Sequence, residues 1–158
     1  MGSDSDLEVM RESGKVLKDF KVPYEMVIAS AHRSPRRTIL YAGTAEQRGI
    51  KVLICGAGWA AHLAGVVAAH TVMPVIGVPI ESSSLKGLDS ILSTVQMPGG
   101  IPVATMAIGK GGAKNAALLA VEILGVGDLS LRKKLQRYRR SMDRELAAKD
   151  RALRRAKR

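Results

Sequence analysis

Two short apolar runs, Val52-Leu53-Ile54-Cys55 and Val75-Ile76-Gly77-Val78, show no alternation of polar and apolar residues. A strand with one wet face alternates, so an unbroken run of this length marks a strand buried on both faces of a parallel sheet. Helices must then cover both faces, and the remaining periodicity supplies them. Leu7, Met10, Val16, Leu17 and Phe20 predict a helix over about 7–20. Ser34 followed by Pro35 predicts an N-cap with proline at the first helical position, opening a helix that runs to about Arg48 and stops at Gly49. Further helices are predicted over about 60–70, 86–95 and 113–124, and further strands over about 24–30 and 102–106. Alternating strands and helices imply right-handed crossovers and an α/β three-layer sandwich.

A chain of 158 residues fits one domain, long enough to bury a core without disulfide staples. Its single cysteine, Cys55, lies in an apolar run and reads as a core residue of a protein kept reduced. No stretch approaches the roughly 18 apolar residues of a membrane span, and Met1 leads into Gly2-Ser3-Asp4-Ser5-Asp6 rather than a basic and then apolar leader, which points to the cytoplasm.

The formal charge of +11 looks like a nucleic-acid signature until it is located. Residues 132–158 hold 13 Lys or Arg against Asp143, Glu145 and Asp150, a net +10, which leaves the rest of the chain near +1. The same segment carries Leu131, Leu135, Tyr138, Met142 and Leu146 at steps of four, three, four and four, a narrow apolar seam on a charged helix. We therefore divide the chain into a main domain, 1–125, and a basic helical extension, 126–158. Because the core reads as complete by Leu124, the extension is expected to pack on a neighbouring subunit; packing on its own domain is the alternative.

In an open parallel sheet, ligands sit beyond the carboxyl ends of the strands, where loops lead into helix N-termini. Three loops of this kind stand out. Gly2-Ser3-Asp4-Ser5-Asp6 offers hydroxyls and free N–H groups for a phosphate, although Ser5 with Glu8 also reads as a capping box that needs no ligand. Ser30-Ala31-His32-Arg33-Ser34-Pro35 places an imidazole beside a guanidinium, and these are the side chains best suited to proton transfer and to phosphate. Gly56-Ala57-Gly58-Trp59-Ala60-Ala61-His62-Leu63 combines small residues with a histidine at a helix start. That string also fits a loose dinucleotide fingerprint, with Glu81 after the following strand as the ribose-binding acid. The histidines and Cys55 have no paired spacing for a metal, and no G-x-S-x-G elbow occurs. His70, at a helix end, reads as a C-terminal cap.

These loops carry a resemblance. Gly2-Ser3-Asp4-Ser5-Asp6, Ser30-Ala31-His32-Arg33-Ser34-Pro35, Gly56-Ala57-Gly58 with Ala60-Ala61-His62-Leu63, and Pro74-Val75-Ile76-Gly77-Val78-Pro79 resemble the class I 5-(carboxyamino)imidazole ribonucleotide mutases of purine (IMP) biosynthesis. So do Gly87-Leu88-Asp89-Ser90, Val95-Gln96-Met97-Pro98, Gly100 to Thr105 and Asn115 to Ala120. The resemblance runs from Gly2 to about Leu124. It implies a flavodoxin-like fold, a homo-octamer, and no metal or organic cofactor. It implies an isomerase that moves a carboxyl group from the exocyclic nitrogen of an aminoimidazole ribonucleotide to the ring carbon, with a functional link to the ATP-dependent synthase that makes the carbamate. Position by position, Ser3, Asp6 and Arg33 would bind the ribonucleotide with Ser30 assisting at the phosphate, His32 would be the general acid and base, and Gly58 and His62 would line the pocket.

The chain also departs from that pattern. Trp59 stands where the family has glycine, Ala64 where it has proline, and Met1 where its first strand would end, so the central strand is expected to be missing or replaced. Two other readings compete with the mutase. One is a direct carboxylase that uses carbon dioxide, and the other is a non-catalytic nucleotide-binding module whose tail binds nucleic acid. The tail holds a single aromatic residue, Tyr138, and so offers no stacking platform.

Overall fold

The computed structural model describes residues 1–156. Residues 1–120 and the residues from 121 onward form two compact units. In the first unit, strands β1 (Leu53–Ala57), β2 (Val75–Pro79) and β3 (Ala104–Thr105) form a parallel sheet in that order. Leu53 stands opposite Val75 and Cys55 opposite Gly77, and Ile76 pairs Ala104. β2 is buried along its whole length, as the unbroken apolar run requires.

Helices cover both faces. On one side α2 (Pro35–Gly43) and α3 (Leu63–Ala68) pack Ala42, Leu63, Ala64 and Val67 against Leu53, Cys55 and Val75. α4 (Leu88–Val95) joins them, with Thr94 reaching Gly77 beside Ala64. On the other side α1 (Leu7–Asp19) brings Met10 against Gly56, and its Ser13 hydroxyl donates to the Ala113 carbonyl of α5 (Gly109–Gly125) at 2.6 Å. This is the expected flavodoxin-like three-layer α/β arrangement. The helix predicted to run to Arg48 ends instead at Gly43 and continues as a 3₁₀ turn over Glu46–Arg48. Gly49 stops it with φ +80, the left-handed conformation that glycine adopts at no steric cost.

The segment 24–30, expected as a strand, is extended but is not one. The Met1 ammonium donates to Val27 O at 2.9 Å and Ala29 N donates to Met1 O at 2.8 Å, a single parallel bridge. On its other side Gly2 N donates to Gly56 O of β1 at 3.1 Å. Residues 1–2 thus sit between the 24–30 segment and β1. Among the described residues these bonds do not extend into a ladder, so 24–30 forms no strand. Tyr24, Met26 and Ile28 share one face and stay 48%, 38% and 44% exposed. The strand expected over 102–106 is likewise reduced to Ala104–Thr105.

In the second unit, the last turn of α5 leads to α6 (Leu129–Ala156), which the Asp128 carboxylate caps by accepting from Ser130 N at 2.7 Å and Leu131 N at 3.2 Å. Arg132 donates to the carbonyls of Gly125 and Val126, and Arg139 pairs with Glu122 at 2.6 Å. Along the seam Leu131 is buried, whereas Met142 and Leu146 are 50% and 70% exposed.

Candidate active site

The three loops singled out from the sequence meet at the carboxyl end of β1, around a cavity of about 560 Å³. One wall is the start of α1. Ser3 caps the first turn, with its hydroxyl accepting from Ser5 N at 3.4 Å and its N–H donating to Asp6 Oδ2 at 2.9 Å. The reciprocal capping box is therefore Ser3 with Asp6, and not Ser5 with Glu8. Glu8 instead pairs with Lys110 at 2.5 Å. Asp6 is 4% exposed, and burial pushes its carboxyl above the usual carboxylate range, against the pull of the Ser3 and Gly2 N–H groups, the Met1 ammonium and Arg33.

The second wall is the loop entering α2. Arg33 Nη2 donates to Gly2 O at 3.0 Å, tying this loop to the first, while Arg33 N donates to Ser30 Oγ at 3.1 Å. The Ser34 hydroxyl, expected to cap α2, is turned to Ser30 instead. It accepts from Ser30 N at 3.1 Å and donates to Ser30 O at 3.2 Å, and Thr38 Oγ1 reaches the same carbonyl at 3.0 Å. These bonds hold Ser30 rigidly, so the loop between Ser30 and Ser34 presents His32 and Arg33 from a fixed base.

The third wall is the loop after β1. A Cβ on Gly58 would overlap Ser82 Oγ and stand 3.1 Å from Ile80 O, so only glycine permits the approach of the loops that follow β1 and β2. Gly56 is filled in the same way by Met10. Both glycines are thus used for packing inside the protein, which removes the basis of the dinucleotide fingerprint. Trp59 lines the cavity, is 64% exposed, and has φ +54.

Ser3, Asp6, Ser30, Arg33, His32 and Gly58 all line the cavity. His62 stands off the lining and faces His32, with His32 Nε2 and His62 Nδ1 2.9 Å apart and the rings edge to face at 88°. One nitrogen of this pair donates and the other accepts, so the tautomers of the two rings are coupled. His70 Nδ1 lies 2.8 Å from Val66 O, the expected cap at the end of α3. Cys55 is buried, with its thiol pushed up to about 11, and takes no part as a nucleophile. Among the described residues no group of three His, Cys, Asp or Glu is arranged to hold a metal. Sequence reasoning missed Ser82, which lies ahead of the helix predicted over 86–95; its place just past the end of β2 was the available signal.

The chain is 63% identical over 144 residues to the N5-carboxyaminoimidazole ribonucleotide mutase of Pyrococcus abyssi, covering 91% of this chain and 82% of that one. It is 54% identical to the mutase of Thermotoga maritima, over 94% and 86% of the two chains. The phosphoribosylaminoimidazole carboxylase of Saccharomyces cerevisiae is 54% identical over 94% of this chain but only 26% of its own length. The crystal structure of Treponema denticola PurE superposes with a TM-score of 0.84 at 30% identity, over 95% of this chain and 92% of that one. Since the family profile described as AIR carboxylase matches residues 1–145, the chain belongs to the AIR carboxylase family.

Proposed function

We propose that this chain is an N5-carboxyaminoimidazole ribonucleotide mutase, an isomerase that gives 5-amino-1-(5-phosphoribosyl)imidazole-4-carboxylate. The observation that carries the reading is the convergence of the Ser3–Asp6 turn, the His32–Arg33 loop and the Gly58 loop on one cavity, in a chain 54–63% identical to proteins named as this mutase. Arg33, Ser3 and Ser30 hold the phosphoribose, with the guanidinium supplying a fixed cationic fork and the hydroxyls completing it. Asp6 orders the turn through Ser3 N and faces the ribose.

The N–C bond of the carbamate breaks and carbon dioxide is released, while His32 delivers a proton to the exocyclic nitrogen. The ring carbon then attacks the retained carbon dioxide, and the same imidazole removes the proton from that carbon and so restores aromaticity. Atoms balance, and His32 ends as it began. His62 orients the His32 ring through their shared hydrogen bond. The small residues Ala57, Gly58 and Ala60 confine the carbon dioxide between the two steps.

The finer assignments belong to the same reading. The enzyme works in the cytoplasm as a homo-octamer, the exposed Met142 and Leu146 of α6 pack on a neighbouring subunit, and the ATP-dependent synthase supplies the carbamate. A direct carboxylase is the competing reading, because the yeast relative carries that name. Substrate dependence separates the two. The purified chain should convert freshly made carbamate without added bicarbonate; turnover of aminoimidazole ribonucleotide that rises with bicarbonate, with none from the carbamate, would favour the carboxylase.

A further inference from the structure

Trp59 has no part in the chemistry described above, yet three observations at this residue converge. It lines the cavity that holds His32 and Arg33, and among the residues lining that cavity it alone carries a large aromatic face. Its side chain is 64% exposed, so the indole has one face to offer. Its backbone sits at φ +54, a left-handed conformation that bulky residues rarely adopt. The neighbouring Gly58 packs so closely on Ser82 and Ile80 that a Cβ there would overlap Ser82 Oγ. Strain of this kind persists where the surroundings impose it, and it concentrates at ligand clamps.

Resting on the mutase reading, we infer that Trp59 is the stacking wall for the substrate's five-membered heteroaromatic ring and closes the open side of the cavity over it. On the mutase reading the phosphoribose is held by the Ser3 turn and Arg33, which leaves the indole to contribute to ring-bearing ligands alone. An electron-rich planar ring laid on an indole gains what bases gain on aromatic platforms. Loss of that contact corresponds to a roughly 5- to 30-fold weaker Kd for a single ring.

The test is calorimetric binding of two probes, 5-aminoimidazole ribonucleotide and ribose 5-phosphate, to the parent and to Trp59→Gly, Trp59→Phe and Trp59→Leu. Glycine relieves the positive φ, so Trp59→Gly folds and should melt no lower than the parent. Expected are a roughly 5- to 30-fold loss for the ring-bearing probe in Trp59→Gly and Trp59→Leu, recovery of most of it in Trp59→Phe, and less than about 2-fold change for ribose 5-phosphate. Trp59 is the only tryptophan of the chain, so in the parent the ring-bearing probe alone should also quench the intrinsic fluorescence. Equal losses for both probes, unchanged affinity in Trp59→Gly, or recovery by leucine as good as by phenylalanine would overturn the inference while leaving the mutase reading intact. A folded parent that fails to bind 5-aminoimidazole ribonucleotide at all would overturn both.

Discussion

Gly58→Ala tests how the cavity floor is built. An alanine Cβ would overlap Ser82 Oγ and stand 2.8 Å from Ser82 Cβ and 3.1 Å from Ile80 O. Rotating the Ser82 side chain clears the hydroxyl at the loss of its weak 3.4 Å bond to Ile80 O. It does not move the Ser82 Cβ or the Ile80 carbonyl, which are backbone-fixed just past the end of β2. Carbon atoms pack at about 3.5–4.0 Å, so the loops after β1 and β2 must separate by roughly 0.7–1 Å. Overpacking of this kind costs about 1–3 kcal/mol, and alanine's smaller unfolded-state entropy returns about 0.4–1 kcal/mol. A net loss of about 1–2 kcal/mol corresponds to a fall in Tm of roughly 2–8 °C at this chain length. The displaced loop carries Trp59, so kcat/KM should fall by about 10- to 100-fold. Gly99→Ala is the control, since Gly99 has nothing within 4 Å and is not left-handed; it should keep activity and gain up to about 1 kcal/mol. Thermal melts and turnover of both variants decide the matter, and a Gly58→Ala protein indistinguishable from Gly99→Ala would refute the reasoning.

Other positions yield further expectations. A Cβ on Gly112 would fall on the Ala107 carbonyl oxygen and 2.6 Å from its carbon, and no side-chain rotation relieves a backbone clash, so Gly112→Ala should lower Tm by more than Gly58→Ala does. Asp6 has a carboxyl pushed above its ordinary value by burial, so the folded chain holds a proton there that the unfolded chain has already lost. Its contribution to stability therefore falls as pH rises from the unfolded value of 3.8 through the folded one, and denaturant melts of the parent against Asp6→Asn should show the parent losing relative stability across that window. A gap between the two that is flat with pH would contradict the placement of the carboxyl.

What the sequence made legible follows from where the physics is local. β1 and β2 stand out because burial on both faces abolishes alternation, and Gly49 announces a stop because it alone takes φ +80 easily. The 24–30 segment has strand chemistry, with Tyr24, Met26 and Ile28 on one face, but a strand is defined by its partner. Here the bonds to Met1 do not extend into a ladder. Capping went astray for a related reason. Ser3 and Ser5 are equally good caps in sequence, and Ser34 is taken by Ser30, a competition that is settled only once the loop is folded. The candidate site was legible as three loops at one end of a sheet, because the position rule for parallel sheets holds whatever the side chains are. The meeting of His32 with His62, thirty residues away, and the seat of Ser82 beside Gly58 depend on how β1 and β2 align, which no local pattern encodes.

The central claim is that His32 moves the protons of a carboxyl transfer within this cavity. The most direct measurement follows formation of the ring-carboxylated product from freshly prepared carbamate by the parent and by His32→Asn, with the fold of each checked by its melt. The account predicts turnover in the parent and a loss of at least about 10²- to 10⁴-fold in a variant that melts like it, since the proton transfers of both steps fall to this one imidazole. A folded His32→Asn protein that turns over at the parental rate would contradict it.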